Sequence, residues 1–133
     1  MTTDRLFVYG TLMRGFDHPM ARLLATNAEC IGAARCQGRL YLVKSYPGLL
    51  LSDDPTDIVH GELFALREPD VMLREFDIYE ACGEGFAEPT EYVRRQIAVT
   101  IGDDGSVRKA WTYVYNWPVD DLPQIASGRF LEH

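Results

Sequence analysis

Glu80 follows Phe76 by four residues and Leu73 by seven, so on a helix it shares the apolar face and not the side that carries Arg74, Asp77 and Ala81. A carboxylate held there is either a buried base with a raised pKa or a helix-end residue that reaches out to water. Glu75 borders the same face, between Tyr79 and Cys82, and a helical projection alone does not choose between the two glutamates. Placement at the helix end, where side chains can face a cavity, favours Glu80. A second feature lies near the start, where the apolar run Leu6-Phe7-Val8-Tyr9 stops at Gly10-Thr11-Leu12. Four residues without a polar interruption suit a strand covered on both faces. Gly10 would permit positive φ and let a ligand or another strand approach the main chain. The free N–H groups of Gly10, Thr11 and Leu12 could then point at an anion or a developing oxyanion. An ordinary strand-to-loop turn has the same spacing.

Other chemistries lack their residues. The chain has no G-x-S-x-G, no G-x-G-x-x-G after a strand, and no lysine where a phosphate-binding loop opening at Gly10 would need one. His18 and His60 are isolated, and His60 sits in a strand pattern where a structural histidine is the simpler reading. Cys30, Cys36 and Cys82 form no C-x-x-C pair and leave an odd thiol, so neither a disulfide framework nor a metal site is indicated. Buried thiols in a reducing cytoplasm are expected, with no cofactor.

The 133 residues, 47% of them hydrophobic, suffice for one domain with a real core and are too few for two. Twenty acidic groups against 13 basic ones give a net charge of −7, which argues against nucleic-acid or anionic-membrane partners. Met1 to Arg5 is polar and unlike a signal sequence, and no apolar run approaches the roughly 20 residues of a membrane span. A cytoplasmic domain handling a small molecule is the expectation.

The elements that must position these groups are mostly strands. Pro19 to Ala25 has helical spacing, and Pro69 to Cys82 forms a second helix opened by proline and closed by Gly83. Strands are expected at Leu6 to Tyr9, Glu29 to Cys36, Gly38 to Val43, Leu49 to Ser52, Ile58 to Leu66, Tyr92 to Ile101 and Val107 to Asn116, the last two joined by Asp103-Asp104-Gly105 as a hairpin. So many strands with two helices indicate an α+β domain whose sheet curls or partly closes. Ala81 to Glu91, rich in Gly, Glu and Pro, is the expected mobile loop over a site.

Three ordered segments, Phe7-Val8-Tyr9-Gly10-Thr11-Leu12, Phe76-Asp77-Ile78-Tyr79-Glu80 and Tyr92-Val93-Arg94, resemble the motifs of the γ-glutamylcyclotransferase-like family. The likeness runs from about Leu6 to Tyr115. It implies a mixed, partly closed barrel of about six to seven strands with two flanking helices. It also implies conversion of γ-glutamyl amides or amines to 5-oxoproline. Under it Tyr9, Gly10, Thr11 and Leu12 form the substrate-binding loop, Glu80 is the general base, and Tyr113 is a pocket residue. The α-amine of such a substrate is itself the nucleophile, so no serine, cysteine or metal is needed. Whether the loop amides hold the substrate carboxylate or the oxyanion stays open. The alternative is a non-catalytic small-molecule-binding domain that keeps the pocket; a retained Glu80 counts against it, since a second carboxylate gains nothing for an anionic ligand.

Overall fold

A computed structural model describes residues 4–10, 19–44, 46–80, 85, 88–102 and 105–130. Its elements are β1 (Arg5–Val8), α1 (Pro19–Asn27), β2 (Ala28–Leu42), β3 (Pro47–Leu51), β4 (Ile58–Leu66), α2 (Pro69–Tyr79), β5 (Tyr92–Ile101) and β6 (Val107–Tyr115). The sheet order is β3-β2-β4-β1-β6-β5, and a further β2–β5 pairing closes it. Five strands thus form a barrel and β3 extends it through β2. Only β1 and β6 run parallel, with Leu6 opposite Trp111; every other pair is antiparallel.

β1 is the middle of this arrangement and is buried on both faces, as its unbroken apolar run requires. Phe7 and Tyr9 point inward with Ala34, Leu40, Leu63 and Val99, while Leu6 and Val8 point outward under the helices. Both helices cover that outer face: Leu24 of α1 and Met72, Leu73 and Phe76 of α2 pack on Leu6, Val8, Phe64 and Tyr113. Thr112, fully buried, donates its hydroxyl to the Phe7 carbonyl at 3.0 Å and ties β6 to β1.

The two strands expected over Glu29 to Cys36 and Gly38 to Val43 are one strand, β2. Gln37 keeps its pairing with Ile58, so no break falls between them. The irregularity lies earlier, between Cys30 and Gly32, where a register shift meets a φ of 141° at Gly32. Such a bulge bends a long strand, which is how β2 can pair with β3, β4 and β5 in turn. β3 opens at Pro47 and not at Leu49, and α1 runs on to Asn27, past the expected Ala25. The β5–β6 hairpin forms with Thr100 opposite Val107.

Since β1 and β6 are parallel and β5 opposes β6, one end of the barrel collects the end of β1, the end of β6 and the start of β5. Tyr92 sits opposite Tyr115 there. The start of β3 joins them, because Gly48 lies so close to the Tyr115 ring that a Cβ would fall 2.8 Å from its Cγ.

Candidate functional site

Glu80 comes to this end of the barrel because α2 stops beneath it. The helix was expected to continue to Cys82; it ends at Tyr79, and Glu80, with φ −83° and ψ 0°, leaves the helical path while its N–H still donates to the Phe76 carbonyl at 2.8 Å. Glu80 is half-buried beyond the buried row of Met72, Leu73 and Phe76, whereas Glu75 is exposed. The fold thus separates the two glutamates that the helical projection leaves side by side.

Burial pushes the Glu80 carboxyl up to about 7, and the nearby charge of Glu91 adds to the shift. Among the described residues no side chain hydrogen-bonds or ion-pairs with it. Its neighbours are phenols. Burial raises Tyr9, with the Glu80 charge as the next cause; burial also raises Tyr92 and Tyr46, with Glu80 contributing to both. These hydroxyls stay protonated around neutrality. Tyr92 donates to the Pro47 carbonyl at 2.7 Å, and Tyr46 donates to Glu91 Oε2 at 2.7 Å. Glu91 is seated in turn by its own carbonyl, which accepts from the Asn116 N–H at 2.7 Å.

Tyr9 reaches the site from the end of β1 and donates to the Tyr113 carbonyl at 2.5 Å. Gly10 follows it, but without the expected positive φ. What requires glycine is Pro47: a Cβ on Gly10 would lie 2.7 Å from Pro47 Cγ and 2.9 Å from Cδ. A neighbouring strand, then, makes the close approach. Thr11 and Leu12 lie outside the described residues, as do residues 81–84 and 86–87 of the expected loop. Tyr113 is buried with its hydroxyl on Asp77 Oδ1 at 2.7 Å, so it braces α2 while its carbonyl holds Tyr9.

The arrangement places a carboxyl that titrates near neutrality among fixed phenols beside a strand-end glycine. Such a group can accept a proton from an ammonium and return it to a leaving nitrogen. The sequence reading gave no role to Glu91 or Tyr46, because these meet only through pairing across 45 residues. Asp77 and Arg94 stood inside the quoted motifs without a role. Among the described residues no cluster of three metal-ligating side chains forms, and no helix is long and apolar enough to cross a membrane.

Comparison with known proteins adds independent findings. The family model described as gamma-glutamyl cyclotransferase, AIG2-like, matches residues 6–132. The chain is 34% identical over 131 residues to the gamma-glutamylcyclotransferase family protein YtfP of Escherichia coli K12, covering 96% of each. It is 32% identical over 115 residues to the gamma-L-glutamyl-butirosin B gamma-glutamyl cyclotransferase of Niallia circulans, covering 84% of this chain and 66% of that protein. The crystal structure of YkqA from Bacillus subtilis superposes with a TM-score of 0.72 at 25% identity, over 99% of this chain and 41% of that one.

Proposed function

The chain belongs to the gamma-glutamyl cyclotransferase, AIG2-like family, and from that premise we propose that it converts a γ-glutamyl amide or amine to 5-oxoproline and a free amine. The α-amino nitrogen of the glutamyl group attacks its own γ-carbonyl carbon and closes a five-membered ring. Tethering of this kind is worth effective molarities on the order of 10⁵ M when the geometry is held. The new C–N bond forms as the old one to the leaving amine breaks, so no external nucleophile enters.

The barrier left to the protein is protonic. The α-ammonium cannot attack until it loses a proton, and α-amino groups titrate at about 7.7–8.0. The observation that carries the reading is Glu80, half-buried at the end of α2, with its carboxyl raised to about 7 by partial loss of solvent. A base at about 7 takes that proton at a cost of about 1 kcal/mol, whereas an ordinary glutamate near 4.3 would face about 5 kcal/mol. Glu80 then gives this proton to the departing nitrogen; the second proton, shed by the ring nitrogen once it has attacked, follows by the same carboxylate, so that the lactam keeps one N–H, the amine leaves as an ammonium and Glu80 is reset. Tyr9, Gly10, Thr11 and Leu12 are assigned to the glutamyl group, with Tyr113 setting the wall behind Tyr9. The name of the Niallia circulans relative supports the reaction class, since that protein is described as acting on a γ-glutamyl amide of an aminoglycoside.

Incubation with a panel of γ-glutamyl dipeptides, glutathione and γ-glutamyl amines, assayed for 5-oxoproline, tests the proposal. Release of 5-oxoproline with at least one of them is expected. A protein that binds 5-oxoproline yet cyclises none of the panel is a binding domain.

A further inference from the structure

Besides Glu80, the end of α2 carries a second carboxylate, one helical turn earlier, and the reaction above does not use it. Asp77 accepts from Arg94 Nε at 2.8 Å on Oδ1 and from a second guanidinium nitrogen at 3.2 Å on Oδ2. The Arg94 guanidinium also lies 4.3 Å over the Trp111 ring, and the Tyr113 hydroxyl donates to the same Asp77 oxygen at 2.7 Å. Strands β5 and β6 therefore hold one helix carboxylate through a forked ion pair, a cation–π contact and a phenol. Met72, Leu73 and Phe76 add an apolar seat, which fixes the depth of α2 more than its rotation or slide. No side-chain hydrogen bond caps the helix N-terminus. Asp77 adds direction at its end. The same Tyr113 that grips Asp77 also accepts the Tyr9 hydroxyl on its carbonyl, so a single residue registers both the helix end and the strand end.

We propose that Asp77, held by Arg94 and Tyr113, is a positioning residue that sets where Glu80 stands relative to the Tyr9–Gly10 strand end. This rests on the reading of Glu80 as the proton-transferring group. Asp77 and Arg94 remain about a quarter exposed, at 22% and 25%, and pairs with that much water around them contribute little to stability. Their effect on a base one turn away is larger, because an ångström of misplacement costs about 10²-fold in rate. The three motifs read from the sequence are on this account one connected unit: Tyr9 from the first, Asp77 and Glu80 from the second, Arg94 from the third.

Asp77→Asn and Tyr113→Phe test it, each alone and combined with Glu80→Gln. Each single change should lower kcat roughly 10- to 100-fold with KM moved by less than about threefold. On the Glu80→Gln background either change should cost less than about twofold more, because its route of action is already gone. An activity-independent arm follows the Glu80 carboxyl by ¹³C NMR titration. In both variants it should titrate below its wild-type midpoint as the side chain moves toward water, although Tyr9, Tyr46, Glu91 and Tyr92, which face it from β1, the approach to β3 and β5, are unchanged. Losses that multiply in full on the Glu80→Gln background, or a Glu80 titration unmoved in both variants, overturn the proposal. If the wild type releases no 5-oxoproline from any substrate, the proposed reaction fails, and the NMR arm still decides the positioning role. Should Asp77→Asn not fold, Tyr113→Phe, which removes a single hydroxyl, carries the test.

Discussion

Cys36, buried inside the barrel, and Glu80, half-buried at its end, are both titratable groups that lose solvent, and burial raises both, to about 12 and about 7. The consequences are opposite. For the thiol, the favoured protonated form is already the form present at neutrality, so Cys36 sits among Leu40, Leu49, Val59 and Val99 at no electrostatic cost and without reactivity. For the carboxyl, burial opposes the ionised form over the working pH range, and the neighbouring Glu91 charge makes that worse. An apolar wall would be more stable there. Where a fold keeps an unfavourable group in place, function is the reasonable cause, and the contrast separates the part of the molecule built for packing from the part to which proton transfer is proposed.

Three substitutions, followed through four effects, probe that contrast. Glu80→Gln keeps the shape and removes the base, so 5-oxoproline formation should fall by roughly 10²- to 10⁴-fold while binding of 5-oxoproline, followed by calorimetry, persists. Gly10→Val places a branched side chain against Pro47 and should destabilise the fold by about 1–3 kcal/mol, seen as a lower urea midpoint. It is a packing lesion before it is a binding lesion. The third effect has the opposite sign. Because the folded-state pKa of Glu80 lies above its unfolded value, the native state holds the proton more tightly; stability is full below about 4.5 and is lost as pH rises through about 7. Glu80→Gln should accordingly be more stable than the wild type at pH 8, by on the order of 1–2 kcal/mol and read as a higher Tm, and should match it at pH 4. The smallest effect belongs to Glu75→Gln, on the exposed side of α2, which should alter neither turnover nor Tm measurably.

The packing half was largely legible in the sequence. The run Leu6 to Tyr9 announced a doubly covered strand, Asp103-Asp104-Gly105 announced the hairpin, and Pro69 marked the start of α2. The errors were local. Gln37-Gly38 reads as a break, yet pairing with β4 up to Gln37 and with β3 from Gly38 carries β2 through it, and the helical period of α2 does not reveal that the chain turns at Glu80. The sequence singled out Glu80 and the strand-end Gly10 as candidates, but not the residues that surround them in the fold. Tyr46 and Glu91 meet across the barrel end, and Gly10 owes its identity to Pro47, a residue 37 positions away. Neither relation leaves a periodic or local trace in the chain.

The central claim is that Glu80 must lose its proton before it can take one from the substrate. The pH dependence of kcat/KM for 5-oxoproline release, measured from pH 5 to 9, tests this most directly. An acid limb with an apparent pKa of about 7 is expected, falling tenfold per unit below it and absent from the residual activity of Glu80→Gln. A wild-type profile flat from pH 5 to 8, or an acid limb that survives in Glu80→Gln, would contradict the account.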